Sequence, residues 1–497
     1  MELVTGSVGA NRIVLICYFM IFGLYSLLQE IYICSPINDC LMKIRDKGRL
    51  IRGIERRAHA LSIVEAGVSS VMPENVIRNA VRIAGNILEV PGRKYDLSKY
   101  RHIYVAGGGK ASATMASELE RILDGRITAG IVNDRYGTGP LKGRIRLREA
   151  GHPLPTEDGV NGVKEMLDML SDAVKDDLII FLISGGGSAL LPYPAPGISL
   201  NDTVELTNQL LKSGATIAEI NCIRKHISKI KGGRLLRFTG GAEVLSLIVS
   251  DVVGDDPEAI ASGPTSPDHT TYTDALSILE KYRATMTVPR NIIDHLKTGQ
   301  RGDTMESLKA GDPALDRVHN VVIASNIIAL KAAATEASRL CYRPIILGSY
   351  IKGESREVGL IMAGIAKECQ SSGNPTGQPA AIISGGETTV TVCGSGKGGR
   401  NQELALGFLR DYQPGLTIVS IDTDGIDGAT DACGAIADET TLPHAASLGL
   451  SIQNALDTNS SYDFFKALDD LIITGPTGTN VSDLRVVLAY DIHEHDV

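Results

Sequence analysis

Nine short runs of apolar, largely β-branched residues recur along this chain, at 102–106, 130–133, 178–183, 244–249, 321–324, 344–347, 380–383, 416–421 and 486–489, most of them separated by helical patterns. Short runs that are apolar throughout cannot leave one face in water, so they belong in sheets covered on both sides. Strands that alternate with helices give parallel sheets, with the helices as crossovers lying on the faces. The fold class expected is therefore α/β. With 497 residues, 43% of them hydrophobic, the chain can build two cores. The polar stretch 299–312, which contains Gly and Pro, marks the break. This gives an α/β domain over 42–300 and another over 301–497, each a mainly parallel sheet flanked by helices. Ahead of the first strand, 54–90 carries helical spacing.

Residues 1–41 differ in composition from the rest of the chain. The sixteen residues 13–28 carry no charge, which falls short of the ~20 apolar residues of a spanning helix. As a signal peptide the segment has only Arg12 as a positive flank and no Ala-x-Ala pattern. A charged, helical sequence begins at Met42, so the segment reads as an apolar extension or start-site artefact, with a membrane anchor as the alternative. A net charge of -9, no Trp and 4% aromatic residues exclude a general nucleic-acid binder. The scattered cysteines show no C-x-x-C pair and no zinc spacing, which suits reduced thiols in the cytoplasm.

Ligands of parallel α/β sheets lie beyond the carboxyl ends of the strands, and the unusual residues cluster there. After the strand at 102–106 come Gly107, Gly108, Gly109 and Lys110, a glycine turn with a cation placed to meet a phosphate or carboxylate, though not a Walker A loop. After 178–183 come Ser184, Gly185, Gly186, Gly187 and Ser188; Leu190 stands where a nucleophile elbow needs glycine, so these offer amide donors with hydroxyl support. The basic run Arg224-Lys225-His226-Ile-Ser-Lys-Ile-Lys-Gly-Gly-Arg234 reads as a solvated face or the mouth of an anion site. Asp251 follows the strand at 244–249, where a carboxylate can hold a metal ion or take a proton.

In the second half, 384–403 joins strand and helix signals through glycines at 385, 386, 394, 396, 398 and 399, with Glu387, Lys397, Arg400, Asn401 and Glu403 among them. So much glycine lets a backbone approach a ligand closely, and this is read as a phosphate-handling loop. After the strand at 416–421, Asp422, Asp424, Asp427 and Asp431 fail the calcium-loop pattern; magnesium with nucleotide phosphates is the simpler use.

The segments VAGGGKAS, GHPLP, ISGGGSALL, RKHISKIKGGRL, SDVVGDDPEAIASGPTSPD, SGGETTV, GKGGRNQELAL, DTDGIDG and TNVSDL together resemble the glycerate 2-kinase family, whose C-terminal half is the MOFRL domain. The resemblance runs in family order from about Arg56 to Tyr490. It implies ATP-dependent phosphorylation of D-glycerate, generally at the 2-hydroxyl, with Mg2+, in a cleft between the two domains. It implies further that Lys110 and Arg400 stabilise the substrate anion and the moving phosphoryl group. Asp251 and Asp424 would hold metal or orient the hydroxyl, with Asp422 as a further metal ligand. Nucleotide and substrate would meet Gly107–Gly109, Ser184–Ser188, Lys225, Glu387, Lys397, Asn401 and Glu403. A homodimer in the cytoplasm fits the family. The rival is an NAD(P)H-dependent hydroxypyruvate reductase, since 394–399 also fits G-x-G-x-x-G with Asp422 about 20 residues on.

Overall fold

The computed structural model describes residues 41–491. The apolar run at 13–28, and with it the choice between anchor and extension, lies outside them. Among the described residues no helix is long and apolar enough to cross a membrane.

In chain order, β1 (Arg82–Ala84), β2 (Ile87–Val90) and β3 (Arg93–Asp96) form a small antiparallel meander. The helical spacing read over 54–90 therefore stops early. The helix Glu55–Ser70 ends, Pro73 restarts a second helix that ends at Ala80, and Gly85, at φ +61°, makes the β1–β2 turn.

The first large sheet holds β4 (Ile103–Gly108), β5 (Ala129–Arg135), β6 (Ile145–Ala150), β7 (Leu178–Ile183), β8 (Glu243–Val249) and β9 (Val318–Ala324). Their order is β6-β5-β4-β7-β8-β9 and every pair is parallel. Every residue of β4 and β7 is buried, as strands covered on both faces must be. Val105, Ile180 and Leu182 face one core, and Tyr104, Ile179 and Phe181 the other. The order reverses between β4 and β7, which opens a crevice beyond their carboxyl ends.

The second sheet holds β10 (Arg343–Ile351), β11 (Ala380–Gly386), β12 (Leu416–Asp422), β13 (Gly434–Ala437), β14 (Leu471–Ile472) and β15 (Asp483–Ala489), in the order β10-β11-β15-β12-β13-β14. Only β10 and β11 pair parallel. β15 returns antiparallel between β11 and β12, so this sheet is mixed where a mainly parallel one was expected. That return sets Asp483, the first residue of β15, opposite both Gly386 and Asp422 at the carboxyl ends of its neighbours.

The two sheets share one compact unit. β9, which comes after the stretch 299–312, is the edge of the first sheet. The helix Glu55–Ser70 lies against β12, β15 and the helix Asn326–Arg339. It is tied there by Arg57, fully buried, whose guanidinium donates to Asp438 at 2.6 and 3.0 Å and to Asp470 at 2.7 Å. A buried arginine satisfied by two carboxylates fixes geometry strongly, because removing either partner strands a charge away from water.

Candidate active site

The switch point is built by glycines that let two loops touch. At Gly109 (φ +148°) a Cβ would lie 2.1 Å from Oγ of Ser184, and at Gly185 one would lie 2.2 Å from Oδ2 of Asp251. Side chains at these positions would push the loops apart. Instead Lys110 N–H donates to the Gly185 carbonyl at 2.9 Å and Ala111 N–H to Ser184 Oγ at 3.1 Å. Asp251 is thereby pressed against the 184–186 loop, and its burial raises its carboxyl above the usual range, against the opposing pull of Lys110.

Opposite stand the strand ends of the second sheet. Arg400 opens the helix Arg400–Leu409 and donates to three carboxylates: Asp483 at 2.8 Å, Asp422 at 2.7 Å and Glu387 at 3.0 Å. Arg485, fully buried, binds the other oxygen of Asp483. Asp422 also accepts the amide of Asp424 at 3.1 Å. Burial and the neighbouring Asp483 and Asp424 carboxylates push Asp422 well upward despite Arg400. Three carboxylates, those of Glu387, Asp422 and Asp483, thus face two guanidinium groups. Asp424 gives one oxygen to the Ile426 amide at 2.8 Å.

The two edges enclose a niche of about 50 Å³ lined by Lys110, Ser184, Gly185, Asp424, Thr479 and Asn480 among others. Among the described residues no hydrogen bond or ion pair engages the Lys110 ammonium. The sheets are further stitched by Asn326, whose amide donates to the carbonyls of Val481 and Asp483, each at 2.8 Å.

The structure brings together Lys110, Ser184, Gly185 and Asp424, with Asp251 beside Gly185 and Arg400 one carboxylate removed. Other expected residues go elsewhere. Lys225 is buried and paired with Asp268 at 3.0 Å and Glu258 at 3.4 Å. Lys397 is exposed and lies over the Tyr462 ring. Asn401 is buried, donating to Asp483 at 2.8 Å and accepting from Ser420 at 2.6 Å. Glu403 is buried against Arg356, which donates to it at 2.8 Å. Gly107 and Gly108 are strand residues of β4. The glycines at 394, 396 and 398 approach Thr458, Asn459 and Ser461, so this loop uses glycine for contact with its own chain. Asp422 has both oxygens engaged, which fits a supporting place better than direct metal ligation.

Asp427, read from the sequence only as one of four acidic loop residues, has a different place. It accepts the amides of Asn401 at 3.1 Å and Gln402 at 2.9 Å, filling the N-terminus of the helix Arg400–Leu409. Burial pushes its carboxyl up to about 6. Folded, the group keeps its proton where the unfolded chain has released it, so stability falls as pH rises between about 4 and about 6. Asp427→Asn is expected to make the urea midpoint less dependent on pH in that window; an unchanged slope would count against it.

On the other side of Gly186 lies a larger chamber of about 410 Å³, bordered by His152, Ser188, Arg224 and Lys231. Ser188 shares a hydrogen bond of 2.9 Å with Ser262, which donates to Asn221 at 3.1 Å. The expected ligand from the basic run was Lys225, but it is Arg224 and Lys231 that border the chamber. Adjacent residues on a helix point about 100° apart, so spacing alone gives no sign of which one turns inward.

Known proteins match this chain over most of its length. Residues 59–297 match the model of a domain of unknown function, DUF4147, and residues 380–483 that of the MOFRL family. A glycerate 2-kinase of Pyrococcus horikoshii is 42% identical over 434 residues, 87% of this chain and 97% of that one. A protein of Agrobacterium vitis with a provisional hydroxypyruvate reductase name is 43% identical over 388 residues, 77% of this chain and 98% of that one. The crystal structure of a glycerate kinase from Thermotoga maritima, 36% identical, superposes with a TM-score of 0.78, covering 88% of this chain and 99% of its own.

Proposed function

Since this chain belongs to the glycerate 2-kinase family, we propose that it transfers the γ-phosphoryl group of ATP to the 2-hydroxyl of D-glycerate, giving 2-phosphoglycerate and ADP. The observation that carries the reading is the unpartnered Lys110 ammonium at the switch point, facing Asp424 across a niche of about 50 Å³. In phosphoryl transfer the protein mainly positions reactants and neutralises the moving charge. Lys110 is a cation only partly exposed to solvent. There it is worth more to a transferring phosphoryl group than in bulk solvent.

The surroundings of the aspartates support a division of roles between them. Asp251 has no side-chain donor on its carboxylate among the described residues, and burial raises its affinity for a proton. It takes the proton of the glycerate hydroxyl as that oxygen bonds to phosphorus and the bond to the ADP oxygen breaks. Among the described residues no donor engages the second Asp424 oxygen, and the residue lines the niche. The donors fit Mg2+: hard carboxylate oxygens with an excess of negative charge. Asp251, Asp422 and Asp424 do not converge as a three-ligand cage, which suits an ion usually held by one or two carboxylates together with phosphate and water. Asp424, with Asp422 behind it, would hold the ion, and when bound it neutralises charge on the phosphates. Arg400 keeps the Asp422 carboxylate in place.

The reductase reading has the Agrobacterium name in its favour. Against it, the helix N-terminus that would take a dinucleotide pyrophosphate is filled by Asp427. The five described cysteines are all free, two of them exposed, which fits a cytoplasmic enzyme. Phosphorus NMR of the products from ATP, magnesium and D-glycerate tests the proposal, with an NADH-plus-hydroxypyruvate assay on the same preparation. A 2-phosphoglycerate signal without NADH loss is expected. NADH oxidation with no phosphorylated product would reverse the assignment.

A further inference from the structure

The chamber of about 410 Å³ beyond Gly186 is bordered wholly by residues between His152 and Lys231. Its lining is of two kinds, apolar residues such as Pro153, Leu154, Val204 and Leu211, and the basic residues Arg224 and Lys231. Elsewhere the fold pairs its buried cations: Arg57 with Asp438 and Asp470, Lys225 with Asp268, Arg485 with Asp483. Arg224 and Lys231 are left out of this pattern. Among the described residues no carboxylate lies within ion-pair distance of either; Lys231, 5% exposed, donates only to the carbonyl of Ala261 at 3.2 Å. Burial, then the charge of Arg224, pushes Lys231 down to about 7. Arg224 beside a protonated Lys231, with no carboxylate near, is a costly arrangement unless an anion joins them, and a bound anion would hold the proton on Lys231.

We infer that this chamber is the nucleotide site, with the polyphosphate held between Arg224 and Lys231 and the base against the apolar residues. The inference rests on the kinase reading for the identity of the donor. D-Glycerate has no apolar surface to match those residues, while a chamber of this size lies in the range, roughly 300–1,000 Å³, of pockets that enclose larger ligands. The route to the chemistry is short. A Cβ at Gly186 would lie 2.9 Å from His152 Cδ2, at the chamber, and 3.0 Å from Lys110 Cγ, at the niche. The chamber and the niche therefore adjoin at Gly186, with the Lys110 stem packed against the wall they share.

The test uses the full chain, ADP binding by calorimetry, and steady-state kinetics in ATP and in D-glycerate. Arg224→Met and Lys231→Met are each expected to weaken ADP binding and raise KM for ATP about 10- to 100-fold, the loss of one charge-assisted contact. KM for D-glycerate should stay near its wild-type value. Val204→Trp narrows the chamber while leaving both Arg224 and Lys231 in the sequence and should act in the same direction, so the inference does not hang on a variant that fails to fold. A raised KM for D-glycerate with ADP binding intact would overturn the inference, as would wild-type ADP binding in all three variants. If the wild-type chain binds ADP in an Arg224-dependent way yet forms no phosphoglycerate, the nucleotide site stands and the glycerate reading falls.

Discussion

Replacing Lys110 by methionine is expected to lower kcat by about 10²- to 10⁴-fold, the range spanned by removal of one preorganised charge at a transition state. The melting temperature should hardly move. Methionine keeps an unbranched stem in the place where the lysine stem runs past Gly186. No protein carboxylate or carbonyl is left orphaned, because none engages the ammonium. This separates Lys110 from a structural lysine such as Lys225, whose removal would strand the buried Asp268. Steady-state kinetics beside a thermal melt reads both quantities. Near-normal turnover in a folded K110M protein would remove Lys110 from the chemistry, and a large loss of stability would show that its charge is needed for packing.

Strand positions were legible because fully buried strands must be apolar, and all nine runs fall on strands. The same property hides direction. Val486–Val487–Leu488 reads alike whether its neighbours run with it or against it, so the antiparallel return of β15 had no sequence signal. β6 was not legible since it is an edge strand that interleaves Arg146, Arg148 and Glu149 with apolar residues. At the site, Lys110, Asp251 and Asp424 could be read because each lies just past a strand end. The glycines at 394–399 are ambiguous in sequence, since the close approach to Thr458 and Ser461 seen here leaves the same trace as close approach to a phosphate. Asp483 opens its strand, the end where a ligand residue is not sought, and only the antiparallel pairing brings it to the site.

Arg400→Ala should lose both catalysis and stability, with about 3–5 kcal/mol of the latter, as when one partner of a buried pair is removed. Asp483 is fully buried and Asp422 nearly so, and Arg485 alone would remain to balance them. Arg400→Lys separates charge from shape. A lysine restores one positive charge but not a planar group reaching Asp483, Asp422 and Glu387 together. Part of the urea midpoint should return, while kcat stays well below wild type because Asp422, and through it Asp424, is no longer held in register. A magnesium titration then distinguishes two uses of Arg400. If it serves to balance and orient carboxylates, its loss leaves the Asp422–Asp424 group more negative, and half-saturating magnesium falls even as kcat drops. If it instead grips the phosphates directly, nucleotide and magnesium both bind more weakly, and half-saturating magnesium rises. The three carboxylates already on its guanidinium favour the first outcome.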